Sequence, residues 1–421
     1  MTAFTFVHTA DLHLDSPLRS LALRDEALAE RVGSATREAL DRIIALSLEE
    51  RVDALLIAGD LFDGVQRSMQ TVAVLRDRMR RLHEAGIDVF AIRGNHDAEA
   101  PVSRHLELPP NVHVFSGHGG IVEHPKGVAV QGVSFAGREA RESLLPKYRP
   151  PVPDMPNIAL LHTSLGGAEG HDAYAPCSLA ELRAHGVDYW ALGHVHRRMV
   201  HARDPWVVMP GMPQGRDIGE AGPKSATLVR IDDNGITAEE RVTAILEFAV
   251  ATTDIADLGD WDTTAETALS SLRKAGEAVE AEHAAVRLVL AGNTPLAWRL
   301  MRDREVLEAD FRHALAEERG PGGGVYLDSL VLQTQPPSAE PHADEADPVA
   351  ELDALMAEKL ADGALRAEAT AFLDTMVRAL PQEIRDAFGA DEEERNAATD
   401  RLLAEGRETV LAALRGAGRE D

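Results

Sequence analysis

Short apolar runs alternate with amphipathic segments in the first half of the chain. Apolar runs of strand length precede Asp11, Asp60 and Asn95, and the stretches 24–49 and 67–85 between them carry apolar side chains at helical spacing. This order of strand, helix, strand and helix predicts an α/β domain. Because open α/β sheets bind their ligands beyond the carboxyl ends of the strands, the residues that follow each apolar run are the first candidates for chemistry.

Five of these apolar runs end in Asp, Asn or His. The residues concerned are Asp11 with His13, Asp60 with Asp63, Asn95 with His96 and Asp97, His162, and His194 with His196. One Gly-Asp after a strand is a common turn, but five such endings are hard to obtain by chance. Carboxylate, amide and imidazole groups without a thiolate cluster favour divalent ions such as Mn²⁺ over a structural zinc site. Asp60 is the candidate for a carboxylate shared by two ions about 3.5–4 Å apart, an arrangement used for in-line displacement at phosphorus.

The ordered blocks Asp-x-His, Gly-Asp-x-x-Asp, Gly-Asn-His-Asp, His and Gly-His-x-His resemble those of the calcineurin-like metallophosphoesterases, over about residues 4–200. The runs 8–18, 170–178 and 188–196 are similar to DNA repair exonucleases of the YhaO type, which are relatives of the nuclease SbcD. The resemblance implies a four-layer α/β/β/α sandwich and a Mn²⁺-dependent exonuclease that hydrolyses DNA phosphodiester bonds. It also implies a homodimer and an SbcC-like or YhaN-like coiled-coil ATPase as partner.

The same resemblance distributes the site residues between two metal ions and a catalytic imidazole. The implied ligands are Asp11, His13, Asp60 and His196 for one ion, and Asn95, His162, His194 and the shared Asp60 for the other. His96 is expected to stay off the metals and to assist the leaving oxygen as a general acid or electrostatic group. Asp63 and Asp97 are expected to orient the ligands or the catalytic imidazole.

Three further residues are candidates for contact with the substrate. Arg198 follows the last predicted ligand, and Arg216 lies in a later loop. A guanidinium group matches the geometry of a phosphate and keeps its charge at every working pH. His171 lies in a glycine-rich stretch after His162, where a histidine is more often only solvated.

Charge limits where DNA could bind. The chain has 421 residues and a formal net charge of −27, so it has no general excess of the Lys and Arg that phosphate contacts need. The charge is −8 for residues 1–240 and −19 for residues 241–421. Two divalent ions would add positive charge at the site. A DNA groove is therefore expected to be a local patch or to come from a partner.

The remaining sequence features concern compartment. Cys177 is the single cysteine, which excludes an intrachain disulfide. The chain has no N-terminal leader pattern and no apolar run of membrane-spanning length. These features predict a cytoplasmic protein without a membrane partner.

The chain is expected to contain three structured regions and a linker. Residues 1–240 form the predicted nuclease domain, and residues 241–335 predict a small α+β domain that the resemblance implies is a cap. Residues 336–348, rich in Pro, Ala, Asp and Glu, predict a linker. Residues 349–421 predict amphipathic helices, which either pack on their own chain or form a docking surface for the ATPase.

Two other functions remain open from the sequence. A phosphoesterase acting on nucleotides, phosphoproteins or other small phosphoesters would carry the same five blocks, whereas the cap and the C-terminal helices favour a polymer. A non-catalytic scaffold that binds DNA ends or the ATPase belongs to a different class, and the intact His96 argues against it.

Overall fold

The computed structural model describes residues 3–16, 26–63, 68–99, 107–137, 140–166, 174–320, 323–336, 348–361, 363–380, 385 and 392–416. Within these ranges the chain forms two compact units. The first extends to Phe248 and includes Val279–His283, and the second comprises Ala249–Ala278 and the residues from Ala284 onward. The predicted linker lies almost wholly outside the described residues, and the predicted domain boundaries stay predictions. No helix within the described ranges has both the length and the apolar character that crossing a membrane requires.

The first unit is built from twelve strands and four α-helices in its described residues. In chain order these are β1 (Phe4–Thr9), α1 (Glu26–Glu49), β2 (Ala54–Ala58), α2 (Met69–Glu84), β3 (Asp88–Ile92), α3 (Asn95–Glu99), β4 (Val112–Val114), β5 (Gly120–His124), β6 (Val128–Gly132), β7 (Asn157–His162), α4 (Leu179–Ala184), β8 (Tyr189–Gly193), β9 (Met199–Arg203), β10 (Trp206–Met209), β11 (Ser225–Asp232) and β12 (Gly235–Val242). Short 3₁₀ helices lie at Leu145–Lys147 and Ile218–Glu220.

These strands form two six-stranded sheets. The first has the order β12-β11-β1-β2-β3-β4, in which β1 to β4 are parallel and Leu55 pairs with both Val7 and Val89. The second has the order β5-β6-β7-β8-β10-β9, in which β6, β7, β8 and β10 are parallel. Because parallel strands end at the same edge, the loops after β1, β2 and β3 are neighbours, as are those after β7 and β8.

Three apolar clusters separate four layers. Phe6 and Phe90 of the first sheet pack with Leu160 of the second sheet between the two sheets. The outer face of the first sheet packs on α1 and α2, and that of the second packs on α4. Every residue of Ala54–Ala58 is buried, which explains why this strand is apolar throughout rather than alternating. The predicted four-layer α/β/β/α sandwich is confirmed.

The remaining elements are a small α+β arrangement and a helical C-terminal segment. They are β13 (Leu246–Asp254), α5 (Trp261–Glu277), β14 (His283–Asn293), α6 (Ala297–Arg302), α7 (Arg304–Glu318), β15 (Gly324–Gln335), α8 (Pro348–Ala361), α9 (Ala364–Ala379) and α10 (Glu392–Gly416). Strands β13, β14 and β15 form a three-stranded sheet, and α10 packs on α6, α8 and α9. Helices α6 and α7 follow each other directly, with Asp303 between them.

Candidate metal centre

Loops at the carboxyl ends of five strands converge on one site in the first unit. The strands are β1, β2 and β3 of one sheet and β7 and β8 of the other. The structure brings all the predicted metal ligands together at this site, namely Asp11, His13, Asp60, Asn95, His162, His194 and His196. Their roles as ligands stay predictions.

Four of these residues have a left-handed backbone. The φ angle is 52° at Asp11, 42° at His13, 53° at Asp60 and 102° at His194. This conformation costs about 1–2 kcal/mol for a residue with a Cβ, so the surroundings must hold it. The loop after β1 is bonded to the loop after β2, because the Asp11 N–H donates to the Gly59 carbonyl (3.0 Å) and the His13 N–H to the Asp60 carbonyl (3.1 Å).

Two glycines allow the loops to approach this closely. Gly59 has a φ of 96°, and a Cβ there would lie 2.5 Å from Nδ1 of His162. A Cβ on Gly94 would collide with the Asp60 carboxylate. Glycine before Asp60 and before Asn95 is therefore required by space, and at Gly59 also by backbone conformation.

His162, Asp60, Asn95 and His194 form one set of donors, the His162 group. Nδ1 of His162 lies 2.9 Å from the Ala58 carbonyl, an acceptor, so Nδ1 carries a hydrogen and Nε2 is the atom that can hold either a second proton or a metal ion. That Nε2 lies 3.0 Å from Oδ1 of Asn95 and 3.3 Å from Oδ2 of Asp60. Burial lowers the pKa of His162, but the Asp60 carboxylate outweighs burial and raises this pKa to about 9. Because Nε2 of His162 and the oxygens of Asn95 and Asp60 all direct lone pairs at one another, a proton or a cation must lie between them. A divalent ion fits this set of donor atoms.

His196, His13 and Asp11 form a second set of donors, the His196 group. The Nε2 atoms of His13 and His196 face each other at 3.2 Å. Burial lowers the pKa of His13 well below its usual range, so this imidazole is neutral and able to bind a cation. Burial also raises the pKa of Asp11 to about 6. The Asp11 carboxylate accepts from the backbone N–H of His194 at 3.0 and 3.1 Å, which connects the two groups.

Asp60 reaches both groups. Its Oδ2 lies 3.3 Å from Nε2 of His162 and 3.9 Å from Nε2 of His13. Burial alone would raise the pKa of Asp60, but His162 and His13 lower it below the usual range of a carboxyl group. An ionised carboxylate in this position is suited to the shared role predicted for it.

His96 lies at the exposed side of the site. Its side chain is 40% exposed, and its Nδ1 lies 3.6 Å from Oδ1 of Asp63, which raises the pKa of His96. The other oxygen of Asp63 accepts from the Ser16 hydroxyl at 2.8 Å. His96, His13 and Asp60 also place one potential ligand atom each within 4.8 Å of one another. The geometry alone does not keep His96 off the metals, and that expectation stays a prediction.

Asp97 holds two loops of the site together. Its carboxylate accepts from the backbone N–H groups of Phe62 (2.9 Å) and Gly94 (3.1 Å) and so joins the loop after β2 to the loop after β3. Burial raises the pKa of Asp97 to about 6. Asp63, rather than Asp97, is the carboxylate that lies beside the His96 imidazole.

The predicted substrate contacts have different surroundings. Arg216 lies beside the site, and its guanidinium donates to Oε1 of Glu220 at 2.7 Å. The guanidinium of Arg198 contacts the Thr227 hydroxyl (2.5 Å) and the Glu240 carboxylate (3.3 Å). His171 lies outside the described residues. All three roles stay predictions.

Sequence reasoning missed Glu220. Its Oε1 lies 2.8 Å from Nδ1 of His196, and its pKa is held below the usual range because His196 and Arg216 together outweigh burial. Glu220 belongs to none of the five blocks. The only signal was its spacing of four residues from Arg216, which is typical of an ion pair but indicates no contact with a ligand.

Comparison with known proteins gives the following matches. The family model for calcineurin-like phosphoesterases matches residues 4–198, and that for the middle domain of the metallophosphoesterase YhaO matches residues 248–335. An uncharacterized metallophosphoesterase YhaO of Bacillus subtilis (strain 168) is 36% identical over 327 residues, which are 76% of this chain and 78% of the relative.

More distant relatives are DNA double-strand break repair proteins named Mre11. The protein of Methanopyrus kandleri is 29% identical over 45% of this chain and 44% of its own length. The protein of Methanocaldococcus jannaschii is 25% identical over 46% of this chain and 52% of its own length. The chain thus spans about half the length of these two relatives.

Proposed function

Because this chain belongs to the calcineurin-like metallophosphoesterases of the YhaO type, we propose that it is a Mn²⁺-dependent DNA exonuclease with two metal ions. The observation that carries the proposal is that Asp60 lies between two donor groups while His96 faces the exposed side of the same site. Family membership itself supports a metal-dependent phosphoesterase, and the names of the Mre11 relatives support DNA as the substrate.

The seven converging residues divide between two ions in this proposal. The assigned ligands are Asp11, His13, Asp60 and His196 for one ion, and Asn95, His162, His194 and Asp60 for the other. Bound divalent ions would supply a water activated for attack and would neutralise charge on the phosphate. The protein's own part is to fix the imidazole tautomers and to exclude bulk water from the buried His162 group.

His96 is proposed to protonate or stabilise the leaving oxygen. Asp63 raises the pKa of His96, so the imidazole keeps its proton to higher pH than an isolated histidine would. Its partial exposure lets a bulky phosphodiester reach it. A negative chain can still accept DNA here, because the divalent ions would reverse the local sign of the charge.

We further propose that the C-terminal helices dock the coiled coil of an SbcC-like or YhaN-like ATPase. Phe372 and Met376 on α9 are 69% and 52% exposed. An apolar groove of about 410 Å³ also lies between α8 and α10. A coiled-coil helix presents an apolar stripe that such surfaces can cover. The homodimer implied by the family likewise stays a prediction.

Co-purification tests this docking surface. Phe372→Asp and Met376→Asp should each reduce recovery of the co-expressed ATPase. Val306→Asp is the matched control, because Val306 is 60% exposed and lies on α7. Equal recovery with all three variants would contradict the docking proposal and leave the nuclease proposal intact.

The central experiment is a Mn²⁺-dependent cleavage assay on end-labelled linear duplex DNA, run beside a small chromogenic phosphodiester. The wild type should cleave both. His96→Ala should lower both rates by about 10²–10⁴-fold while the bound Mn²⁺ is retained. Hydrolysis of the small ester alone, even after the ATPase and ATP are added, would contradict the DNA substrate and favour a small phosphoester.

A further inference from the structure

Glu220 connects the predicted metal ligand His196 with Arg216, which lies outside the five sequence blocks. It ends the short helix Ile218–Glu220, whose first turn is capped by the Asp217 side chain bonded to the Gly219 N–H. Oε1 of Glu220 lies 2.8 Å from Nδ1 of His196 and accepts from Nη2 of Arg216 at 2.7 Å. Oε2 accepts from the backbone N–H of Arg216 at 2.8 Å. Both oxygens are therefore engaged.

We infer that Glu220 is a positioning residue that fixes the tautomer and ring direction of His196 toward a divalent ion, with Arg216 holding Glu220 in place. The inference rests on the proposed function, because His196 is a ligand only if the centre binds metal.

The tautomer follows from the hydrogen bonds. A carboxylate paired with a guanidinium can only accept, so at 2.8 Å the hydrogen must lie on Nδ1 of His196. Nε2 then presents its lone pair, and this is the atom that faces Nε2 of His13 at 3.2 Å. Imidazoles that bind metals are commonly held in this way, by a carboxylate or carbonyl acceptor on the other nitrogen.

Arg216 is already engaged by protein acids. Besides Glu220, its Nη1 lies 3.9 Å from Oδ2 of Asp63 and 3.5 Å from the Ser16 hydroxyl. Asp63 in turn lies 3.6 Å from Nδ1 of His96. The Arg216 side chain is 22% exposed. Its charge is shared between two carboxylates that face His196 and His96, so a positioning role fits its contacts better than a phosphate contact does.

A nearby ion pair provides the control. Arg198 and Glu240 also form an ion pair in the first unit, at 3.3 Å. Arg198 also contacts Thr227, and Glu240 also contacts Ser225; neither residue is a candidate ligand. Removal of the Glu240 carboxylate therefore has the same chemistry as removal of the Glu220 carboxylate but should leave the imidazoles of the centre in place.

The test measures Mn²⁺ binding without substrate, by the electron paramagnetic resonance of free Mn²⁺ during titration of the full-length protein. Glu220→Ala should weaken binding at one of two positions by about 10–100-fold. Glu220→Gln should recover most of this loss, because its amide oxygen still accepts from Nδ1–H. Arg216→Ala should weaken the same position, and Glu240→Ala should bind as the wild type does. Thermal unfolding of each metal-free variant identifies any variant that does not fold. If Glu220→Ala does not fold, the Mn²⁺ affinities of Glu220→Gln and Arg216→Ala decide.

Steady-state kinetics on a small phosphodiester at saturating Mn²⁺ separates positioning from substrate binding. Arg216→Ala should lower kcat with little change in KM. Wild-type Mn²⁺ affinity in Glu220→Ala would overturn the inference and leave the proposed nuclease function standing. A raised KM with unchanged Mn²⁺ affinity in Arg216→Ala would overturn the role given to Arg216. A wild type that binds no Mn²⁺ would instead overturn the proposed function itself.

Discussion

The two donor groups of the metal centre are held by different means. In the His162 group, the imidazole is fully buried and its Nδ1 donates to the Ala58 carbonyl at the end of β2. In the His196 group, the imidazole is 30% exposed and its Nδ1 contacts the carboxylate of Glu220. A backbone carbonyl cannot be removed by substitution, whereas a carboxylate can. The fold itself fixes the first group, and two side chains outside the five sequence blocks hold the second.

The largest effect is expected where the groups meet. Asp60→Asn removes the charge that both groups share and leaves a weaker neutral oxygen. We expect Mn²⁺ to be lost from both positions and phosphodiester hydrolysis to fall by more than about a hundredfold. Elemental analysis after gel filtration measures the ion content. Two ions retained per chain would contradict the shared position of Asp60.

A smaller loss should follow from an added methyl group in the His162 group. Gly59→Ala puts a Cβ on a residue with φ of 96°, 2.5 Å from Nδ1 of His162. We expect the free energy of unfolding to fall by about 1–3 kcal/mol and the bond from His162 to Ala58 to be displaced.

Gly127→Ala is the matched control for this change. Gly127 has a φ of 77°, but a Cβ there meets no atom within 4 Å. Gly127→Ala should lower the free energy of unfolding only through its left-handed backbone, and it should leave Mn²⁺ binding unchanged. Equal Mn²⁺ affinity in Gly59→Ala and Gly127→Ala would mean that the space beside His162 is not critical. Urea unfolding and Mn²⁺ titration together measure both effects.

The difference between the groups also explains how much the sequence could predict. The strand endings, the sandwich and the residues that converge follow from apolar runs and from Asp, Asn and His at fixed spacings, since parallel strands place their carboxyl ends together. Glu220 could not be found in this way. It comes close to His196 through a loop that returns between β10 and β11, and no period of helix or strand encodes that return. The spacing of four residues between Arg216 and Glu220 is typical of an ion pair, but it does not indicate that this pair contacts His196.

The pH dependence of Mn²⁺ binding is a further test of the difference between the His162 group and the His196 group. The pKa of His162 is raised to about 9, so in the metal-free protein this imidazole holds a proton at pH 7 that a metal ion must displace. The affinity of the His162 group for Mn²⁺ should therefore rise about tenfold per pH unit between about pH 7 and 8.5. Calorimetry in buffers of different ionisation enthalpy should detect about one proton released per ion bound at that group. Binding without proton release at pH 7 would contradict the protonated state.

The smallest effect is expected at Arg198, two residues after His196. Its guanidinium contacts Thr227 and Glu240, and Arg198→Gln should cost about 1 kcal/mol of stability or less, as expected for a partly exposed ion pair. Because neither donor group depends on that pair, Mn²⁺ affinity and the KM for duplex DNA should stay within about twofold of the wild type. The cleavage kinetics of Arg198→Gln and Arg216→Ala, measured under the same conditions, compare the two arginines directly. A KM raised several-fold in Arg198→Gln alone would show that the ion pair with Glu240 opens to bind phosphate, as the sequence position of Arg198 predicts. Mn²⁺ affinity would then distinguish two kinds of side chain. Substitution of a side chain that positions the His196 group should change this affinity, whereas substitution of one that binds only DNA should not.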